Sequence, residues 1–302
     1  MAKSSNGHGW NVYRKDLDAA LALDDPAVFR SLVKSITDVP HVYEKKGMLV
    51  DGNMHGKAYN AMGQATLGYD LLLAGQKFDD VSLIRMGIAA LKVNLTNYAK
   101  GGLRLKDEGT AWYCGQTSRS QEDKGGTFNK HLHATITFFK AADVMEELGR
   151  DKWAKKYQKA GEQGLTKLVK GDDLPMLKDF FVVKKNGDVN LKAWVYYGVQ
   201  NANENRGYYI ANEKKNASYH LLDMKFIHEA AGYVSDSFNW KPFFKPALGG
   251  GVTSLGGMLD VYENKLAAGG LYQSTETKHG TFSAVLPNDH LSSAVVDWFS
   301  QF

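Results

Sequence analysis

Twice along this chain an apolar segment of helical period is followed by a short polar break and a second segment of the same kind. Residues 55–76 place Tyr59, Met62, Leu67, Leu71 and Leu72 near one helical face. Ala61, Gly63, Ala65 and Gly68 keep that helix thin enough for close neighbours. Asp79 or Asp80 stands where a cap belongs for a second helix through Leu83, Ile84, Met86, Ile88, Leu91, Val93 and Leu95, with a stop at Gly101-Gly102. The plan returns at 127–149, with Thr127 as cap, Leu132, Ile136, Phe139, Ala142 and Met145 on the apolar face, Asp143 as a late interruption, and Gly149 as stop. Its partner is 151–169, carrying Trp153, Tyr157, Ala160 and Leu165 at mostly three- or four-residue spacing. A third long helix is expected over 217–234, with weaker helical segments at 256–268 and 288–301.

A mainly α fold follows. The hairpins recur too far apart for a short solenoid repeat, but they suit an incomplete (α/α) toroid in which successive hairpins curve around a shared core. Residues 1–302 are read as one such catalytic domain. The segments between hairpins, 102–126 and 170–216, are expected as long structured loops with a short strand, the usual place to build a site on a rigid scaffold. Within the second of them, 179–200 has an alternative reading as a small β-hairpin about Asn186-Gly187.

Composition narrows the function classes. At 43% hydrophobic and 23% charged over 302 residues, the chain is neither disordered nor collagen-like. A formal charge of +4 gives no electrostatic reason to expect nucleic acid. The single cysteine, Cys114, excludes an internal disulfide framework and a thiolate-built zinc site. There is no apolar run of about 18 residues, so no membrane-spanning helix is expected. Met1 to Arg14 lacks the apolar core of a signal peptide, as a mature exported chain also would, and the compartment stays open between secreted, periplasmic and cytoplasmic.

In a toroid alternate helices begin at one end, and here the three strongest helices open with polar, titratable clusters. These are Asn53, His55, Lys57 and Tyr59; Asn129, Lys130, His131 and His133; and Tyr219, His220 and Asp223. Histidine titrates near neutrality, tyrosine can protonate a leaving oxygen, and Asn, Lys or Arg can hold a carboxylate. For any single histidine a hydrogen-bonded structural role is the competing reading. No metal or other cofactor is expected, because His131 and His133 stand two apart, about 200° around a helix, whereas helical zinc motifs use positions four apart. Asp51, Asp107, Glu108, Glu122, Asp123 and Asp223 are available for carboxylate-pair hydrolysis, but no spacing selects a pair. Neither a GxSxG elbow nor a phosphate-loop lysine is present. Trp112, Tyr113, Trp194, Tyr196, Tyr197, Tyr208 and Tyr209 crowd the loops, beside Arg119, Lys124, Lys130 and Arg206. Flat faces beside cations suit a sugar chain carrying carboxylates; the competing reading places half or more of these rings in the core.

The runs Gly125-Gly126-Thr127-Phe128-Asn129-Lys130-His131-Leu132-His133-Ala134 and Asn216-Ala217-Ser218-Tyr219-His220-Leu221-Leu222, with the Asn53-Met54-His55 entrance, resemble the α/α-toroid polysaccharide lyases and related uronyl epimerases. The resemblance spans roughly 50–235 and is to the group as a whole. It implies a secreted or periplasmic lyase that cuts a uronic-acid polysaccharide by β-elimination. Asn129, Arg119 or Asn53 would then hold the uronate, one of His131, His133 and His220 would be the base, and Tyr219 the acid. His55, Tyr59, Trp112, Lys130 and Arg206 would complete the substrate site. The partner implied is an anionic polysaccharide, with neither nucleic acid nor membrane and with oligomeric state open. At 302 residues the chain is short for a full toroid with an added β domain, which leaves an open groove, and leaves lyase against epimerase undecided. The alternatives are a glycoside hydrolase and a non-catalytic helical carbohydrate-binding protein.

Overall fold

The computed structural model describes residues 9–37, 61–107, 109–113 and 128–169, short strands at 43–44, 48–49, 51–53, 56–59, 116–118, 124–125, 181–183, 189–191, 197–199 and 208–210, and residues 226, 229–235 and 238. Within these the chain is mainly helical. The expected helices at 256–268 and 288–301, most of 217–234, and the Thr127 cap lie outside the described residues.

Three helical hairpins follow one another. The first, α1 (Gly9–Ala22) and α2 (Pro26–Thr37), was not anticipated by the apolar periodicity. Its entry signal is nonetheless conventional: the Asp25 carboxylate accepts the amides of Ala27 at 2.8 Å and Val28 at 3.2 Å, and Pro26 occupies the first helical position, where no amide is needed. The second hairpin is α3 (Ala61–Lys77) and α4 (Val81–Leu95). Asp80 caps α4, accepting from Ser82 and Leu83 amides and from Arg30 Nε at 2.7 Å. The Ser82 hydroxyl chiefly, with Arg30 and the two amides, holds the Asp80 carboxyl down at about 2 against the opposing effect of burial. The third hairpin is α5 (Phe128–Glu147) and α6 (Asp151–Val169), separated by Gly149 at φ 63°.

Two expected boundaries are corrected. The helix read from residue 55 begins at Ala61, because 51–59 pairs as β3 (Asp51–Asn53) and β4 (Gly56–Tyr59). The helix read as running to Gly101-Gly102 ends at Leu95; a 3-10 turn at Tyr98–Lys100, capped by the Asn97 side chain, intervenes before Gly101 turns left-handed.

Contacts between hairpins set their relative direction. Gln76 and Glu147, at the C-terminal ends of α3 and α5, are hydrogen-bonded at 2.6 Å. Lys77, at the end of α3, donates to the Leu21 carbonyl near the end of α1 at 2.8 Å. So α1, α3 and α5 run the same way, and α2, α4 and α6 return. The 226–235 segment follows α5 in the same sense: Phe226 meets His133, Glu229 pairs with Lys140 at 2.5 Å, and Tyr233 stacks on Phe139 at 5.2 Å. Two apolar cores bind the layers. Leu17, Phe29, Val33, Leu67 and Leu71 join the first two hairpins, and Leu72, Leu91, Phe138, Met145 and Tyr157 join the second to the third.

Short strands run through the region 102–126, more of them than the single strand expected. β5 (Arg104–Asp107) and β6 (Thr110–Tyr113) form a hairpin, followed by β7 (Gln116–Ser118) and β8 (Lys124–Gly125). A four-stranded sheet of order β3-β4-β7-β8 joins the entrance of α3 to the entrance of α5. Near the start of that sheet lies a small pair, β1 (Tyr43–Glu44) with β2 (Met48–Leu49). In the second loop region β9 (Phe181–Val183) pairs antiparallel with β10 (Val189–Leu191), which is the hairpin alternative about Asn186-Gly187. β11 (Tyr197–Val199) pairs with β12 (Tyr208–Ile210).

Candidate functional site

The sheet that ties the helix entrances together carries two of the sequence-derived candidates, Asn53 and Tyr59. Asn53 pairs with Gly56 across the β3–β4 turn, and Tyr59 pairs with Thr117 of β7, two residues before Arg119. Asn129, Lys130, His131 and His133 occupy the first two turns of α5, close behind β8. Backbone pairing thus brings the segments before α3 and before α5 side by side. His55, Arg119, Arg206, Tyr219 and His220 lie outside the described residues.

The two histidines of α5 have different surroundings. His131 is fully buried. Its Nδ1 accepts the Tyr113 backbone amide at 3.0 Å, so its proton sits on Nε2, which donates to the Gly164 carbonyl at 3.1 Å. Trp112 stacks on the ring at 4.2 Å between centroids, and Tyr113 at 5.6 Å. Burial pushes the imidazole down to about 3; the Gly164 carbonyl opposes this and Lys167 adds to it. A ring with both nitrogens engaged in a dry core has no nitrogen to offer a polymer. His131 is therefore corrected from candidate base to a core residue that ties β6, α5 and α6. Trp112, likewise fully buried and covered by that ring, is corrected from a sugar platform to part of the same core.

His133, two positions on, sits at the boundary. It is half-buried, edge-on to Phe226 at 5.4 Å, with Nδ1 3.4 Å from Thr137 Oγ1. The Thr137 hydroxyl donates to the His133 carbonyl at 2.8 Å, and the same oxygen lies beside Nδ1 of the ring. Lys130 is also half-buried, one turn earlier on α5.

Among the described residues no three His, Cys, Asp or Glu side chains gather as a metal site. Nor is any described helix long and apolar enough to cross a membrane. No family model, curated protein or solved structure matches this chain.

Proposed function

We propose that the chain is a polysaccharide lyase that cleaves a uronic-acid polymer by β-elimination, built on an incomplete (α/α) toroid. The observation that supports it is the shared direction of α3, α5 and the 226–235 segment, together with the β4–β7 pairing that joins the first two entrances. A toroid site would draw on alternate helices that share a direction in this way. Tyr219 and His220 precede Phe226 by seven and six residues, and Phe226 touches His133 near the start of α5.

In this reading Asn129, Arg119 or Asn53 neutralises the substrate carboxylate, which makes the adjacent C5 proton removable. His133 or His220 takes that proton, and Tyr219 protonates the departing O4. The bond from C4 to the glycosidic oxygen breaks as the C4–C5 double bond forms.

The test is ultraviolet absorbance of unsaturated uronyl ends during incubation with alginate, glucuronan, ulvan and glycosaminoglycans. Absorbance rises on at least one polymer if the reading holds. His133→Ala then lowers kcat by about 100-fold or more while the circular dichroism spectrum is kept. New reducing ends without absorbance mean a hydrolase. No change of either kind on any of the polymers overturns the lyase reading.

A further inference from the structure

Asn94-Leu95-Thr96 has the Asn-X-Ser/Thr spacing of an N-glycosylation acceptor, and the fold places it where a sugar has no room. Asn94 stands on the last turn of α4 and is fully buried. Its Nδ2, the atom to which an oligosaccharide would be joined, donates to the Ala61 carbonyl in the first turn of α3 at 2.8 Å. The two helices approach closely around this bond. Ala61, Leu91 and Val93 are buried in one core, and a methyl built on Gly87 would lie 2.7 Å from the Gly68 carbonyl oxygen. Thr96 is engaged as well: its hydroxyl donates to the Lys92 carbonyl at 2.7 Å, and its backbone closes against Gly102.

N-glycosyl transfer forms a bond from the asparagine side-chain nitrogen to C1 of the sugar. The bond from C1 to the diphosphate oxygen of a lipid-linked oligosaccharide breaks, and the departing diphosphate takes up the proton lost by the amide. In the folded chain the nitrogen faces the Ala61 carbonyl inside the hairpin, with no path to such a donor. In the unfolded chain it is open to one. A glycan once attached is bulky and strongly hydrated and belongs at a surface, so it would hold the end of α4 away from the start of α3.

We infer that glycosylation of Asn94 and closure of the α3–α4 hairpin exclude one another, so that the order of the two events decides whether the chain folds. The native structure is reached where the lipid-linked donor is absent or where folding comes first. Export through a compartment that presents the donor to an unfolded chain yields a trapped, glycosylated product; export by a route without the donor does not. The inference is independent of the proposed function.

The experiment has two arms, and all chains carry Asn216→Gln because Asn216-Ala217-Ser218 is a second acceptor pattern, outside the described residues. In the first, full chain made without glycosylation is incubated with a single-subunit oligosaccharyltransferase and its lipid-linked donor, and occupancy of Asn94 is read by peptide mass mapping. The folded chain is expected to stay unmodified, whereas Gly87→Val, which forces α3 and α4 apart, gains the glycan. In the second, the chain is sent with a cleavable leader through the secretory pathway of a glycosylating cell. Asn94-occupied molecules are expected only in the protease-sensitive fraction, and Thr96→Val, which removes the acceptor pattern but keeps Asn94, raises the folded yield several-fold. Occupied Asn94 in protease-resistant chain with the parent's unfolding temperature overturns the inference. So does absence of the glycan from every fraction of both the parent and Gly87→Val, since the segment is then no acceptor even when opened.

Discussion

The second and third hairpins both use glycines for close approach but differ in what meets there, backbone in one and rings in the other. In α3–α4 the backbones approach because side chains are missing: a methyl built on Gly87 would lie 2.7 Å from the Gly68 carbonyl oxygen, and one on Gly68 would lie 2.5 Å from Leu91 Cγ. Polar side chains there bond to the opposite helix's backbone, Gln64 to the Ala90 carbonyl at 3.1 Å and Asn94 to the Ala61 carbonyl at 2.8 Å. In α5–α6 the space is filled by rings. Phe138 meets both Tyr157 and Tyr113, Phe139 lies over Gly161 of α6, and β6 inserts Tyr113 and Trp112 against His131. One hairpin is defined by close backbone approach and the other by directional bonds among aromatic groups. They should therefore fail for different reasons.

The largest effect is expected at His131. His131→Leu keeps the apolar volume but leaves the Tyr113 amide and the Gly164 carbonyl without the bonds they make to the ring. At 1–3 kcal/mol for each stranded group, the loss is about 4 kcal/mol, measured by urea unfolding at neutral pH. A loss under about 1 kcal/mol would show that water or a shift of β6 replaces the ring, and would weaken the contrast between the hairpins. For the glycine-built hairpin, Gly87→Val brings a β-branched side chain against Gly68 and Leu72, and about 3 kcal/mol is expected from forced separation of the helices.

Mild acid, between pH 7.5 and pH 5, should act on the third hairpin through His131, whereas the Asp80 cap of the second, held down at about 2, gives up its contribution only below about pH 4. The folded-state pKa of His131 lies below the ordinary histidine value, so between the two the unfolded chain binds the extra proton. Stability from this group is complete above about pH 6.5 and is lost as pH falls toward about 3, reaching about 2 kcal/mol by pH 5. Urea midpoints at pH 7.5 and pH 5 measure the slope. Comparing the parent with His131→Leu isolates the histidine, and equal slopes in the two chains would assign the acid sensitivity elsewhere.

The same contrast explains what was legible in the sequence. The periodicity of 151–169 coincides with α6, and Asp80 is the cap, because local pattern and tertiary packing agree there. Periodicity places the start of α3 too early because Gly56, Ala58 and Tyr59 fit either a helix or a strand; pairing with Ser118 and Thr117, about sixty residues away, decides it. The first hairpin was missed although Asp25-Pro26 is a strong entry signal, since α1 has little apolar contrast between its faces. For the site, the two-residue spacing of His131 and His133 already implied opposite faces. Which face was the core depended on β6, whose Tyr113 amide lies eighteen residues upstream. Of the aromatic loop residues, Trp112 and Tyr113 belong to the core because β6 lies against α6.

The finest comparison lies within the third hairpin, between two buried tyrosines. The Tyr113 hydroxyl donates to the Ala160 carbonyl at 2.7 Å, while the Tyr157 hydroxyl, equally buried, has no hydrogen-bond partner among the described residues. Burial pushes both phenols above the ordinary tyrosine range, and Arg104 partly offsets this at Tyr113. Removing a bonded hydroxyl gives up a net contribution, whereas removing an unbonded one also removes a desolvation cost. Tyr113→Phe is therefore expected to destabilise by about 1 kcal/mol, and Tyr157→Phe to be neutral or to stabilise by a few tenths, about 0.5 kcal/mol at most. Paired urea titrations at pH 7.5 resolve the difference. If Tyr157→Phe costs as much as Tyr113→Phe, its hydroxyl has a partner in the remainder of the chain or in bound water, and the packing of α6 against its neighbours involves a third polar tie beside those at His131 and Tyr113.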